Sequence, residues 1–252
     1  MSNASDDFPV KVPAVTLGFW IIKILATTLG ETGGDAVSMS MDVGYLLSTV
    51  IFMAIFLGAV LLQIRARGFR PFLYWATIIA STTVGTTLAD YATRSVGIGY
   101  SGGSALLLAL VLGSLWAWYA SLGRVDVASV TTPRAELFYW LTIMFSQTLG
   151  TALGDWTADT AGLGYLGAAA IFGGLLLMLV IAYFFTRVSR TVLFWAAFVL
   201  TRPLGAVLGD FLDKPIAAGG LELSRYAATA VLLLTIVVLV AVLPQRPAVR
   251  AH

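Results

Sequence analysis

"YWLTIMFSQTLGTALGD", residues 139–155, is an apolar run that opens on an aromatic and Trp pair and closes on an aspartate. The chain carries it three more times without gaps, as "FWIIKILATTLGETGGD" (19–35), "YWATIIASTTVGTTLAD" (74–90) and "FWAAFVLTRPLGAVLGD" (194–210). In every copy a glycine follows the Trp by ten residues (Gly30, Gly85, Gly150, Gly205) and an aspartate by fifteen (Asp35, Asp90, Asp155, Asp210). Another glycine stands nine residues beyond each Asp (Gly44, Gly99, Gly164, Gly219), ahead of a tyrosine in the first three copies. A frame this long held through four copies marks internal repetition, with repeats at approximately 13–68, 69–130, 131–188 and 189–246.

Of the 252 residues, 59% are hydrophobic and 11% charged, and the mean hydropathy is +0.91. That composition excludes an ordinary soluble domain and predicts an integral membrane protein. Each repeat adds a second apolar run, at about 45–64, 101–122, 165–185 and 226–243, close to the 20 or so residues a helix needs to cross the hydrocarbon core. Helices satisfy their backbone groups internally in lipid, whereas open strands do not. The expected fold is therefore an all-α integral membrane protein, a single membrane domain over residues 1–252. Its eight transmembrane helices form four parallel helical-hairpin repeats around a pseudo-symmetric axis.

Lys11, Arg65, Arg67, Arg70, Arg124, Arg134, Arg187, Arg190, Arg246 and Arg250 fall on the terminal and inter-repeat side, against Arg94, Lys214 and Arg225 in the turns inside repeats. This bias places both termini in the cytoplasm. Trp20, Trp75, Trp140 and Trp195 fall where an aromatic belt belongs. The opening "MSNASDDFPVKVP" does not fit a cleaved signal peptide, so the first apolar segment is expected to be a retained helix.

No cysteine is present, which excludes disulfides, thiolate metal sites and thiol catalysis. The sole histidine, His252, reads as part of a tail. A G-x-G-x-x-G ahead of a helix, a Walker A loop, H-E-x-x-H and a nucleophile elbow are all missing, so no enzyme is predicted. The basic residues are too sparse for a nucleic-acid patch.

Positions 7, 11 and 15 after each Trp lie one helical turn apart and share a face. They read Thr27, Glu31, Asp35; Thr82, Thr86, Asp90; Gln147, Thr151, Asp155; and Arg202, Ala206, Asp210. A polar stripe on an apolar helix should face protein or water. Beside it, Gly30 and Gly34, Gly85 and Ala89, Gly150 and Gly154, and Gly205 and Gly209 form small-xxx-small pairs that permit close helix approach. The first helices should form an inner ring and the second helices an outer wall.

Four aspartates at one depth then converge near the outer face, about 22 Å from the tryptophans. Like charges in low dielectric must hold a cation, protonate in part or pair with basic residues. The first option makes Asp35, Asp90, Asp155, Asp210, Glu31 and Asp159 oxygen ligands for a hard ion of the Mn²⁺, Mg²⁺ or Ca²⁺ class. The expected activity is transport of such a cation, with proton-coupled export among the forms it takes, and no resident cofactor. The partners are the lipid bilayer and a small inorganic cation. Asp42, Asp213 and Glu222 add to an acidic outer vestibule.

Lys23 and Arg202 each occur in one repeat only and are assigned to gating or charge balance. If the ring closes, repeats 1 and 4 are neighbours, and an interior ion pair between Arg202 and Glu31 is predicted. In the opposing reading each Asp caps a helix end or pairs with Arg94, Lys214 or Arg225, and the protein is a membrane scaffold or partner subunit. A third reading, a membrane enzyme using Asp155 with Asp159, has no nucleophile or phosphate-binding motif behind it.

"GFWIIKILATTLGETGGDAVSMSMDVGYLLS", "FYWLTIMFSQTLGTALGDWTADTAGLGY" and "FWAAFVLTRPLGAVLGDFLDKP" resemble an uncharacterised family of bacterial multi-spanning inner-membrane proteins. The resemblance covers the whole chain and implies a bacterial inner-membrane location. It carries over no functional residues. "ETGGD" is also loosely similar to the Glu-x-Gly-Asp helices of a manganese and calcium exporter family. It departs from that pattern by an extra glycine and by Ala36 where a basic residue is expected.

Overall fold

A computed structural model describes residues 10–248; His252 and Arg250 lie outside the described residues. Among the described residues eight α-helices follow one another: α1 (Leu17–Asp35), α2 (Tyr45–Arg65), α3 (Pro71–Asp90), α4 (Tyr100–Leu122), α5 (Pro133–Asp155), α6 (Gly164–Phe185), α7 (Arg190–Asp213) and α8 (Arg225–Val242). Helices α1 and α5 start at threonine N-caps, Thr16 and Thr132, whose hydroxyls accept from the Phe19 and Ala135 amides. Pro71 and Pro133 occupy the first helical turn, where no amide is missed.

The odd-numbered helices form a closed ring, α1 to α3 to α5 to α7 and back to α1. Their small residues explain why. A Cβ at Gly30 or Gly205 would overlap the side chain of Thr82 or Thr27, and one at Gly150 would overlap Arg202. One at Gly85 would meet the Gln147 backbone at 2.8 Å, and one at Gly209 would meet Glu31 Cβ at 2.6 Å. Each first helix thus presents glycines to the polar stripe of the next, and the pattern runs round all four seams. Carbonyls freed by this approach take threonine hydroxyls from across the seam: Thr82 donates to Ala26 O at 3.2 Å, Thr86 to Gly30 O at 3.1 Å and Thr27 to Thr201 O at 3.3 Å.

The aromatic pairs close the other end of the ring by the same rule. Phe19 packs on Trp75 with ring centroids 5.4 Å apart, Tyr74 on Trp140 at 5.7 Å, Tyr139 on Trp195 at 6.1 Å and Phe194 on Trp20 at 5.8 Å. This corrects the aromatic-belt expectation. Trp75, Trp140 and Trp195 are core residues, because an aromatic partner from the preceding repeat covers each, and only Trp20 is half-buried.

The hairpin expectation also needs correction. The second helix of a repeat packs on the first helix of the next: α2 on α3, α4 on α5, α6 on α7, and α8 on α1. Four residues, 41–44, follow the turn after Asp35 before α2 begins, and at roughly 3.4 Å each they are long enough to step past a helix about 10 Å across. That turn is π-helical, at Ala36–Ser40, and is repeated at Tyr91–Ser95 and Trp156–Thr160. The repeated glycine caps α2 and α4 at Gly44 and Gly99, opens α6 at Gly164 and lies in the turn before α8 at Gly219, with φ of 80°, 77°, 66° and 87°. A side chain there would cost about 1–2 kcal/mol.

Six of the eight helices are long and apolar enough to cross a membrane, short of the eight expected. The two that fall short, α1 and α5, carry three charges each: Lys23, Glu31 and Asp35; Arg134, Glu136 and Asp155. All but Arg134 are buried: Lys23, Glu31, Asp35 and Asp155 face the ring interior, and Glu136 is covered by its pair with Lys11. The outward faces of α2, α4, α6 and α8 are covered with exposed Leu, Ile, Val and Phe. Such a surface is of the kind that a helix turns toward lipid.

At the Trp end residues 12–14 meet residues 246–248. Ala14 N donates to Arg246 O and Ala248 N to Val12 O, both at 2.8 Å. Lys11 Nζ reaches Glu136 Oε1 of α5 at 2.6 Å and Ile64 O of α2 at 2.8 Å, so the N-terminal segment crosses beneath the ring.

The glycine seams make a stability prediction. Gly85→Ala should lower unfolding stability in detergent by about 1–3 kcal/mol, since its clash is with backbone. Gly113→Ala on the outer face of α4, where a Cβ meets nothing within 4 Å, should be neutral or slightly stabilising. Paired thermal melts check both.

Candidate functional site

The ring interior is built in four layers, each about 6 Å above the last because consecutive members of a stripe are four residues apart. From the Trp end they are Lys23, Ile78, Ile143 and Phe198; then Thr27, Thr82, Gln147 and Arg202; then Glu31, Thr86, Thr151 and Ala206; then Asp35, Asp90, Asp155 and Asp210. Every one of these side chains is buried. The predicted inward stripe is therefore the axial column of the protein.

Arg202 lies on the axis. Its Nη2 is 2.9 Å from Glu31 Oε2, 2.7 Å from Thr86 Oγ1 and 2.5 Å from Thr151 Oγ1. One guanidinium nitrogen thus touches all three other repeats, and the fourth member of that layer is Ala206, which leaves room for it. The expected Arg202 and Glu31 ion pair is present, and it closes the column.

Lys23 does not snorkel. It is fully buried, with Nζ 3.8 Å from the Phe198 ring centroid and no hydrogen-bond partner among the described residues. The ring face supplies a cation–π contact in place of water.

The four aspartates pair with cations rather than capping helices. Among the described residues no backbone amide at the π-helical turns donates a capping hydrogen bond to Asp35, Asp90 or Asp155. Arg94 Nε sits 2.7 Å from Asp90, and its Nη2 is 3.7 Å from Asp155. Lys214 Nζ sits 2.5 Å from Asp35, 3.1 Å from Asp210 and 4.0 Å from Asp213. Each cation stands four residues after its own aspartate and bridges to the aspartate of the next repeat. Arg225 adds contacts at 3.0 Å to Asp213 and 3.9 Å to Asp35. Burial opposes the charge on Lys214, but Asp210, Asp35 and Asp213 outweigh it and hold the ammonium well above its ordinary value.

Of the six proposed ligands, the structure brings three together. Glu31, Asp35 and Asp210 offer buried carboxylate oxygens that all lie within 4.8 Å of one another. Asp90 and Asp155 share Arg94 instead. Asp159 is exposed and stands apart from the ring: at the same position of an equivalent π-helical turn the long cationic Arg94 reaches back to Asp90, whereas a short second carboxylate is repelled by Asp155. The Asp-plus-four position held the missed signal: it is Met39, Arg94, Asp159 and Lys214 in repeat order, so cations occur in alternate repeats. The buried pair of Lys11 with Glu136 had no repeat signal at all.

Fold and axis together define a ring of four pseudo-equivalent repeats around a charged, closed column. Residues 18–69, 73–123, 138–189 and 193–244 each match a family described as a repeat of unknown function, DUF347. The chain belongs to that family. No curated protein and no solved structure matches it.

Removing one partner of the axial pair leaves an uncompensated buried charge, which costs about 3–5 kcal/mol. Arg202→Met and Glu31→Met should each destabilise by that amount. The double variant should recover much of the loss, read as the coupling energy of a double-mutant cycle.

Proposed function

We propose that the chain is an integral membrane protein of the bacterial inner membrane, crossing it eight times with both termini cytoplasmic. We further propose that it carries a small hard cation of the Mn²⁺, Mg²⁺ or Ca²⁺ class. The inward burial of the charges on α1 and α5 supports including these helices among the spans. The meeting of residues 12–14 with 246–248 supports an even number of crossings.

One observation carries the transport reading. The oxygens of Glu31, Asp35 and Asp210 form a buried hard-donor set, and the Lys214 ammonium is seated on two of them. Lys214 enters from beyond the end of α7 on a flexible four-carbon stem. In this reading it is a tethered stand-in for the ion: it withdraws when a cation arrives and returns when the cation leaves. Arg202 bars the column below, so passage requires rearrangement, as in a carrier rather than an open pore.

The same ion pairs favour a second reading. A cation lies within 4.0 Å of every ring aspartate, so the ring can serve as a latch that holds four helix ends together in a scaffold protein.

Mn²⁺ flux into liposomes containing the purified protein separates the two. The carrier reading expects flux in the wild type, a loss of at least about tenfold for Asp35→Asn and Asp210→Asn, corresponding to about 1.4 kcal/mol, and tighter Mn²⁺ binding in Lys214→Gln. Absence of flux with Mn²⁺, Mg²⁺ and Ca²⁺, together with lowered melting temperatures in all three variants, would establish the latch.

A further inference from the structure

The Trp end of the column is closed by a segment that the repeats do not share. Four residues before Lys23, Ile78, Ile143 and Phe198, the inward stripe carries Phe19, Tyr74, Tyr139 and Phe194. All four are buried, and the two tyrosine hydroxyls lie 2.6 Å apart. Residues 10–14 run beneath this aromatic layer. Val12 is 2% exposed and belongs to the same apolar cluster as the four aromatics. Lys11 reaches Glu136 in the first turn of α5. Helix α5 stands across the ring from α1, since each packs on α3 and α7. The six residues from Lys11 to Leu17, where α1 begins, extend to roughly 20 Å, enough to cross the mouth of a ring of helices about 10 Å wide.

The fastening of this segment is polar. The Lys11 ammonium has three N–H groups and three acceptors, Glu136 Oε1 at 2.6 Å, Ile64 O at 2.8 Å and Gln63 O at 3.3 Å. In return Gln63 Nε2 donates to Lys11 O at 3.1 Å. Glu136 occurs once: four residues before the Trp, the other repeats carry Thr16, Pro71 and Thr191. Duplication therefore does not explain this buried acid. Stability is a weak explanation too, because apolar side chains of similar volume often stabilise as well as a buried ion pair or better. The pair does confer reversibility. When the segment lifts away both charges regain water, whereas an apolar plug would expose its surface to water on opening.

We infer that residues 10–14 are the inner gate of the column, a strap latched by Lys11 on Glu136 that parts from residues 246–248 and lifts away while the ring stays closed. Arg202 is the second barrier, deeper on the axis, so the two close the column in series. The gating role rests on the carrier reading; the latched seal does not.

Two measurements keep those apart. The chain has no cysteine, so each introduced thiol is unique. In purified protein, a polar maleimide should label Val12→Cys at least about tenfold more slowly than Ser189→Cys, which is exposed between α6 and α7. Adding Glu136→Gln should speed labelling of Val12→Cys by at least about tenfold, since loss of one partner of a buried pair favours local opening by at least that factor. Equal rates at the two thiols, or a Val12→Cys rate unmoved by Glu136→Gln, overturns the strap whether or not any ion is transported. Pro13 and Pro247 face each other in an antiparallel bridge flanked by the Ala14 to Arg246 and Ala248 to Val12 hydrogen bonds, a pairing with Cα atoms about 4.5 Å apart, within disulfide range. In liposomes, Pro13→Cys combined with Pro247→Cys should lose Mn²⁺ flux on oxidation and regain it on reduction. Flux unchanged by the disulfide overturns the gate. Latch-dependent labelling with no flux in the wild type retains the seal and removes the carrier.

Discussion

Everything in this protein depends on how closely four parallel helices approach one another through glycine. A stripe of Thr, Gln, Arg or Glu side chains from one helix lies where the neighbouring helix has no Cβ, and the backbone carbonyls thus brought near accept the threonine hydroxyls. The contact has two effects at once. It fixes the rotation of each helix about its own axis, and it sets the heights of the stripes equal. Layers of four follow from that alignment, and a charged column is the result of stacking them.

Symmetry supplies the frame, and its exceptions supply the chemistry. A ring with four identical third layers would be either four threonines or four acids, and neither fills the axis. Arg202 and Ala206, both in repeat 4, and Glu31 in repeat 1 break that equality so that one guanidinium reaches three neighbours. At the outer end the break is two-fold instead, with Arg94 and Lys214 in alternate repeats. A charged interior is costly to bury, and its cost is limited here by placing each cation between two acids.

Much of this was legible in the chain. The period of aromatic, glycine and aspartate gave the four repeats, helical spacing gave the inward stripe, and the one-off residues Glu31 and Arg202 pointed to their own pairing. Other features were hidden because they depend on which helix neighbours which. The tryptophans read as surface anchors because a sequence cannot show that Phe19 covers Trp75 from another repeat. Asp159 read as a ligand because it is one more acid beside the ring, and its sequence does not show that a short carboxylate four residues after Asp155 turns away from it while Arg94 at the same position turns back. The hairpins were assigned to consecutive helices because nearness in sequence was taken for nearness in space, and the pair of Lys11 with Glu136 joins residues that no local rule connects.

The offset packing of the outer helices bears on biogenesis. Helix α1 is made before the other seven described helices, yet its outer partner is α8 and one of its ring neighbours is α7. Throughout synthesis it carries Lys23, Glu31 and Asp35 on a face that nothing yet covers, and Arg202 is the group that neutralises Glu31. The earliest helix is thus the last to be completed. Its polar face must be shielded by other means until the fourth repeat arrives to close the ring.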